Sequence, residues 1–229
     1  MRVVVSIGGS VLAPDLDADR VADHADALNE LVDAGHEVGA VTGGGTVARE
    51  YIDAARELGA NEMELDHVGI AATRLNARLL IAALGERAAP EPVETYEEGR
   101  NALRRGDLPV LGGVVAGQTT DAVSAAFAEY VDADLLVYAT SVPGVFSADP
   151  DTDPDASKFA ELGVSDLVDV IAGIEMNAGS NAPVDLLAAK LIERSGIRAI
   201  VLDGSDPRRI VRAVENDDHD GTEIVPKDE

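Results

Sequence analysis

The stretch "EVGAVTGGGTVAREYIDAARELG" (residues 37–59) contains the signals for a strand, a glycine turn and a helix in immediate succession. Residues 37–41 are predicted to form a strand, three glycines follow, and residues 46–59 have helical spacing before a terminal glycine. The same order begins at "RVVVSI" (2–7), which ends in Gly8 and Gly9. The chain is therefore predicted to build strands that end in glycine loops and lead into helices.

Strand and helix signals alternate along the whole chain. Strands are predicted at 2–7, 37–41, 92–95, 108–113, 134–139, 197–202 and 221–225. Helices are predicted at 17–35, 46–59, 67–86, 96–105, 121–131, 164–172, 182–195 and 206–215. This order predicts an α/β fold, a three-layer sandwich around a mostly parallel central sheet.

The composition excludes several classes of function. With 43 acidic and 18 basic residues the formal net charge is −25, which disfavours nucleic acid and anionic membranes as partners. Lysine occurs at three positions only, and a chain rich in Asp and Ala but poor in Lys is typical of a halophile's cytosolic protein. The absence of Cys excludes disulfides and thiolate zinc sites, and the four His show no metal-ligand spacing. No targeting segment or membrane-length run is recognised, so a cytoplasmic location is expected.

Three predicted strands end in glycine, at Gly8-Gly9, Gly43–Gly45 and Gly112-Gly113. Ligands of parallel sheets sit at the carboxyl ends of the strands, where glycine permits close backbone approach and the next helix favours an anion. One such loop is an ordinary strand end, but three favour a ligand with several phosphates. The motif GxxxxGK[ST] is absent, which excludes a P-loop, and no GxGxxG follows the first strand, which disfavours a dinucleotide-binding Rossmann domain.

Longer motifs carry a family resemblance. They are "SIGGSVL" (6–12), "VTGGGTVAREYI" (41–52), "DHVGIAATRLNARLL" (66–80), "LGGVVAGQTTDAVSAAFAEYVDADLLV" (111–137) and "AGSNAPVDLLAAKLIERSGI" (178–197). With them the chain resembles the amino acid kinase superfamily, and within it the archaeal type of uridylate kinase. The resemblance implies one domain over 1–229, with an acceptor half at about 1–131 and an ATP half at about 132–229. It also implies phosphoryl transfer from ATP, as MgATP, to UMP, by a homo-oligomer that is expected to be a hexamer.

The resemblance assigns residues to ATP and to UMP. For ATP these are Gly8, Gly9, Ser10, Gly45, Arg49, Thr140, Phe146 and Asp149. For UMP these are Gly44, Asp66, Val114, Val115, Ala116, Gly117, Gln118, Thr119 and Thr120. Asp66 is expected at the head of the long helix, as an N-cap, a ribose ligand or both. Arg49 either faces phosphate or pairs with a nearby acid such as Asp53, and phosphate is favoured because a guanidinium matches that anion.

The catalytic candidates are Asp121, Arg49, Ser10 and Lys190. Asp121 is expected at the start of a helix, either as its cap or to orient the glycine loops and organise Mg²⁺. Ser6 stands where many superfamily members have Lys, so the source of positive charge is open between Arg49, Lys190 and the metal. Lys190 is equally well explained as a solvated helix residue. The segment "TSVPGVF" (140–146) departs from the usual ATP loop at Ser141 and Pro143, which suggests a relaxed choice of phosphoryl donor.

Two alternatives remain at this point. One is another small-molecule kinase of the same superfamily, acting on a carboxylate such as acetylglutamate or on isopentenyl phosphate. The other is a regulatory protein that binds UMP or UTP without turnover. The glycines, Ser10, Arg49 and Asp121 are all present, which disfavours a chain that has lost catalysis.

Overall fold

The computed structural model describes residues 1–148, 150, 153–175 and 184–226. The strands are β1 (Arg2–Ile7), β2 (Glu37–Thr42), β3 (Val110–Leu111), β4 (Leu135–Thr140), β5 (Glu161–Gly163), β6 (Arg198–Asp203) and β7 (Thr222–Val225). The helices are α1 (Gly9–Leu12), α2 (Ala18–Asp33), α3 (Gly45–Glu57), α4 (Glu62–Leu84), α5 (Tyr96–Arg105), α6 (Thr120–Tyr130), α7 (Val164–Glu175), α8 (Leu186–Ser195) and α9 (Arg208–Asn216).

The strands form one sheet in the order β3-β2-β1-β4-β6-β7-β5. The first five run parallel to one another, β7 is antiparallel to β6, and β5 is parallel to β7. The carboxyl ends of β1, β2 and β3 therefore meet at one edge, and their glycine loops lie side by side. The predicted α/β fold with a mostly parallel sheet is confirmed.

Helices cover both faces of the sheet. Alternate residues of β1 point to opposite sides, so that Val3, Val5 and Ile7 pack with α2, α4 and α9. Val4 packs on the other side, with a core built from α5, α6, α7 and α8. Both cores consist mainly of Val, Leu, Ile and Ala, and the central strands are buried on both faces, as is typical of parallel sheets. The three-layer arrangement is confirmed.

Two helices are capped by residues other than the aspartates that the sequence suggested. Helix α4 begins at Glu62, five residues early, because Asn61 and Glu64 form a capping box with reciprocal bonds between side chains and backbone. Asp66 therefore lies in the second turn, and the expectation that it heads this helix is wrong. Helix α6 is capped by Thr119, whose hydroxyl accepts from the Ala122 N–H, so Asp121 is not the cap.

The short strands were less predictable. The predicted strand at 92–95 is reduced to a single bridge between Val93 and Leu111, and the predicted 108–113 strand to two residues. Pro92 and Pro109 interrupt these segments, since proline has no N–H for a sheet ladder. Strand β5 was not predicted at all, because three residues carry too little pattern.

Helix α4 also differs from expectation in its composition. The segment Glu62–Arg87 is long and apolar enough to cross a membrane, although the sequence analysis recognised no such run. Core helices of globular proteins satisfy the same criterion. One side of α4 packs on the sheet through Ala77, Leu80 and Leu84, while Leu75 and Leu79 remain exposed on the other. Helix α4 is thus apolar on two faces, one that packs against the core and one that is exposed to solvent in the single chain.

Candidate functional site

The loops that follow β1 and β2 touch each other through their backbones. A Cβ atom built on Gly43 would lie 2.6 Å from the Gly9 nitrogen, and one on Gly45 would lie 2.6 Å from the Gly9 carbonyl carbon. Gly45 also has a positive φ of 63°. The sequence predicts that these glycines allow close approach of a ligand. In the structure, the lack of side chains at these glycines first of all allows the backbones of the two loops to touch.

Polar side chains of α4 hold the loops in place from below. The Asn76 side-chain amide donates to the carbonyl oxygens of Gly43 (2.7 Å) and Gly44 (3.3 Å), and Asn76 is almost fully buried. The Thr73 hydroxyl accepts from the Gly113 N–H at 2.7 Å and donates to the Ile70 carbonyl at 2.7 Å. Thr73 is not among the site residues predicted from the sequence. Its signal was a hydroxyl on the buried face of an otherwise apolar helix.

These loops open on a cleft of about 580 Å³. Its walls come from the β1 and β2 loops, from the first turns of α3, from one face of α4 and from the segment before α6. The lining residues are Gly8, Gly9, Ser10, Gly43, Gly44, Gly45, Ala48, Arg49, Ile52, Asp66, Gly69, Ile70, Thr73, Gly113, Gln118, Thr119 and Thr120. The structure thus brings together most of the residues that were predicted to bind phosphates and UMP.

The segment 114–120, here called the acceptor loop, forms the wall opposite the glycine loops. The Gly117 N–H, in a residue with φ of 83°, donates to the Asp66 carboxylate at 2.8 Å. Gln118 is bonded to the Tyr96 hydroxyl at 3.3 Å. Val114 packs against the core beside α6, and Val115 is exposed. Ala116 and Gly117 do not line the cleft either, so four predicted UMP residues lie beside the cleft rather than in its described wall.

The two cations predicted for catalysis have different environments. Arg49 lines the cleft and is exposed, and it takes part in no ion pair within the described residues. The acid suggested as its partner, Asp53, is paired with Arg56 at 2.8 Å instead. Lys190 is exposed on α8, where it pairs with Glu193 at 3.0 Å, and it does not line the cleft. The catalytic role of Lys190 stays a prediction.

Two carboxylates lie behind Thr119 and Thr120. Burial, together with the charge of Asp185, raises the pKa of Asp121 to about 7. Asp185 accepts from the Ala188 N–H as the cap of α8 and also accepts from the Thr119 hydroxyl. The buried Tyr138 hydroxyl donates to the Asp121 carbonyl at 3.0 Å, and burial raises the pKa of that hydroxyl. Sequence reasoning missed Asp185, which is 64 positions from Asp121 along the chain.

The residues predicted for the ATP nucleoside lie on the loop after β4. Thr140 lies beside Gly8, and its hydroxyl accepts from the Val142 N–H at 3.1 Å. Phe146 is half-buried and forms a backbone bridge with Lys158. Between them, the Val145 N–H donates to the buried Thr222 hydroxyl at 2.8 Å, which ties this loop to β7. Asp149 lies outside the described residues.

Comparison with known proteins agrees with this architecture. The sequence model of the amino acid kinase family matches residues 1–203. The chain therefore belongs to the amino acid kinase family.

Within that family, relatives that match over nearly the full length are named uridylate kinase. The uridylate kinase of Haloarcula marismortui is 72% identical over 227 residues, covering 99% of this chain and all of that protein. That of Halobacterium salinarum is 74% identical over 226 residues, covering 99% and 94%. The crystal structure of uridylate kinase from Archaeoglobus fulgidus has a TM-score of 0.89 at 42% identity, covering 98% and 100%. The Haloarcula and Halobacterium relatives come from halophiles, which confirms the halophilic source predicted from the acidic composition.

Proposed function

We propose that this chain catalyses the reversible transfer of a phosphoryl group from MgATP to UMP, giving UDP and ADP for pyrimidine nucleotide synthesis. One observation carries the proposal. Two glycine loops in backbone contact open on a single cleft whose opposite wall is the acceptor loop. Donor and acceptor phosphates would meet where the loops touch. The name uridylate kinase, borne by relatives over nearly the full length, supports UMP as the acceptor.

The glycine loops offer unused hydrogen-bond donors. The backbone N–H groups of Gly9, Ser10, Gly44 and Gly45 donate to no group of the described residues. Buried or half-buried amide groups without partners are rare, and a phosphate oxygen is a strong acceptor for them. These donors suit phosphoryl transfer, in which catalysis consists mainly of positioning and of stabilising negative charge.

Positive charge comes from Arg49 and from the metal of MgATP. Arg49 is the cation that lines the described part of the cleft, and without an ion-pair partner its guanidinium is available to phosphate oxygens. Mg²⁺ neutralises charge on the phosphates, and in such sites it is held by one or two carboxylates together with the substrate. Asp121 and Asp185 fit that requirement, because a cation would relieve the repulsion that helps to raise the pKa of Asp121.

The acceptor would lie against α4. Asp66 faces the cleft and can accept from ribose hydroxyls, while Thr119, Thr120 and Gln118 offer groups to the base or phosphate. Val114, Val115 and Ala116 would support the loop from outside. The ATP nucleoside would lie against Thr140 and Phe146, with the chain divided into an acceptor half (about 1–131) and an ATP half (about 132–229) of one domain. A cytoplasmic location follows from these substrates.

We also propose that the chain assembles with itself, up to a hexamer. The outer surface of α3 and α4 exposes large apolar side chains, with exposed fractions of 60% for Tyr51, 55% for Met63, 57% for Leu75 and 42% for Leu79. A second copy of the chain is the occupant proposed for this surface. Sedimentation velocity in molar KCl is expected to give a hexamer, and Leu75→Glu with Leu79→Glu is expected to dissociate it. A monomeric wild-type chain would refute the proposal.

The function is tested by ADP release from MgATP in molar KCl, with UMP, CMP, dUMP, AMP and acetylglutamate as acceptors. Turnover is expected to be fastest with UMP. Arg49→Ala is expected to lower kcat/KM by about a hundredfold, as loss of a charged phosphate contact does. Arg56→Ala, two turns further along α3 and outside the cleft, is the matched control and should stay near wild type. Faster turnover with another acceptor would refute UMP as the substrate. Binding of UMP without turnover would indicate a regulatory protein.

A further inference from the structure

The acceptor loop is held from outside the cleft by a residue that does not line it. Tyr96, the first residue of α5, donates from its hydroxyl to the Gln118 side-chain oxygen at 3.3 Å. Gln118 is part of the cleft wall, whereas Tyr96 lies behind it, half-buried. The contact joins α5 to the acceptor loop across 22 positions of sequence.

The Tyr96 ring packs in a cluster with two other aromatic rings. It stacks on Phe127, with ring centroids 6.4 Å apart and planes 22° apart. Its centroid lies 6.1 Å from that of Tyr130, and the Arg100 guanidinium lies over the Tyr130 ring, 4.5 Å from its centroid. The chain has four tyrosines and three phenylalanines, so this one spot holds three of its seven aromatic side chains. Such contacts fix the position of a ring and hence of its hydroxyl.

The Phe127 ring, on which Tyr96 stacks, is closely surrounded. Phe127 is fully buried, and its ring fits between two glycines that have no room for a Cβ. A Cβ on Gly99 would lie 2.6 Å from the Phe127 ring, and one on Gly39 would lie 2.8 Å from it. Gly39 belongs to β2, the strand that leads into the Gly43–Gly45 loop. The aromatic cluster therefore ties α5, and with it the Tyr96 hydroxyl, to the sheet that carries the glycine loops.

The second tether of the acceptor loop is shared with the substrate. Asp66 accepts from the Gly117 N–H, and the same carboxylate is the proposed acceptor for the ribose hydroxyls. When a nucleotide occupies the cleft, Asp66 must divide its bonds between ligand and loop. The Tyr96–Gln118 contact lies outside the cleft and does not compete with the ligand.

We propose that Tyr96 is a positioning residue for the acceptor nucleotide, which acts by fixing the Gln118 amide and, through it, the acceptor loop. Because the hydroxyl occupies the Gln118 oxygen, the amide nitrogen of that side chain is left to donate into the cleft. The inference rests on the proposed function for the identity of the nucleotide, but not for the tether itself.

The test compares Tyr96→Phe with the matched control Tyr130→Phe in molar KCl. Both substitutions keep the rings of the cluster, but only Tyr96→Phe removes the bond to Gln118. Loss of one hydrogen bond predicts a rise of about fivefold in the KM for UMP, with kcat and the KM for ATP unchanged. Tyr130→Phe is expected to match the wild type in all three. Equal effects of the two substitutions, or a fall in kcat alone, would overturn the proposal.

Two further measurements separate this inference from the proposed function. In a Gln118→Ala background, Tyr96→Phe should cause no additional change in KM, and additive effects would show that Tyr96 does not act through Gln118. Hydrogen–deuterium exchange of residues 114–120 without ligand should be faster in Tyr96→Phe than in wild type or Tyr130→Phe. Unchanged exchange would refute the tether whatever the substrate is. Faster exchange in a chain that does not phosphorylate UMP would refute the proposed function and support the tether.

Discussion

Replacing Asp121 by Asn should stabilise the fold and impair the reaction at the same time. In the folded chain burial and Asp185 raise the pKa of Asp121 from 3.8 to about 7. A rise of about three in the pKa means that ionised Asp121 is less stable in the folded than in the unfolded chain by about 4 kcal/mol, at 1.36 kcal/mol per pKa unit. Asp121 is only partly buried, so about 2 kcal/mol is a realistic gain in the free energy of unfolding.

The pH dependence of that gain has a definite sign. A group whose pKa is raised on folding contributes stability that is complete below its unfolded value, near 4, and lost as the pH rises through about 7. Asn cannot ionise, so Asp121→Asn does not lose stability in this pH range. The free energy of unfolding of the variant should therefore exceed that of the wild type most at pH 8.5, and this difference should shrink by more than half by about pH 5.

Urea unfolding followed by circular dichroism in molar KCl measures this difference at each pH. Activity should fall in the same variant, because an amide cannot replace the charge that would organise Mg²⁺ and the loops. Asp185→Asn is the companion variant. It preserves the cap of α8 but removes the neighbouring charge, so the midpoint of the stability change should move to lower pH. If Asp121→Asn destabilises the fold at pH 8.5, the reasoning from burial is refuted.

Three other substitutions probe the loops. Gly9→Ala would place a Cβ 2.5 Å from the Gly43 oxygen. It should destabilise the fold by more than about 2 kcal/mol in urea unfolding and abolish ADP release. Wild-type stability and activity would contradict the backbone contact. Asn76→Ala leaves the Gly43 carbonyl without its side-chain donor and should cost about 1–3 kcal/mol in urea unfolding, whereas the exposed Asn101→Ala should cost little. Thr222→Val keeps the shape but removes the acceptor of the Val145 N–H, so the KM for ATP should rise while that for UMP stays, and the reverse pattern would place this loop on the acceptor side.

Local features of this fold could be predicted from the sequence and distant contacts could not. The strand and helix alternation, and the glycines at the ends of β1 and β2, follow from short-range patterns. The contacts that complete the site join distant residues: Thr73 bonds Gly113 across 40 positions, Asp66 bonds Gly117 across 51, and Thr119 bonds Asp185 across 66. No periodicity encodes such pairs.

The errors at helix starts have a common physical reason. Asp66 and Asp121 were both considered as caps because Asp favours that position. Asn61 and Thr119 cap these helices instead, Asn61 in a capping box with Glu64 and Thr119 through its hydroxyl alone. Neither aspartate carboxylate is used as a helix cap, so both are available for other contacts at the site.

The backbone contact between Gly9 and the Gly43–Gly45 loop limits how this protein can change. A side chain at Gly9, Gly43 or Gly45 would separate the two loops, so main-chain atoms set the spacing between them and substitution at these positions cannot adjust it. The acceptor loop is different, since side chains from α4 and α5 hold it. We therefore expect that substitutions among those side chains could change the choice of acceptor, whereas the glycine loops tolerate almost none.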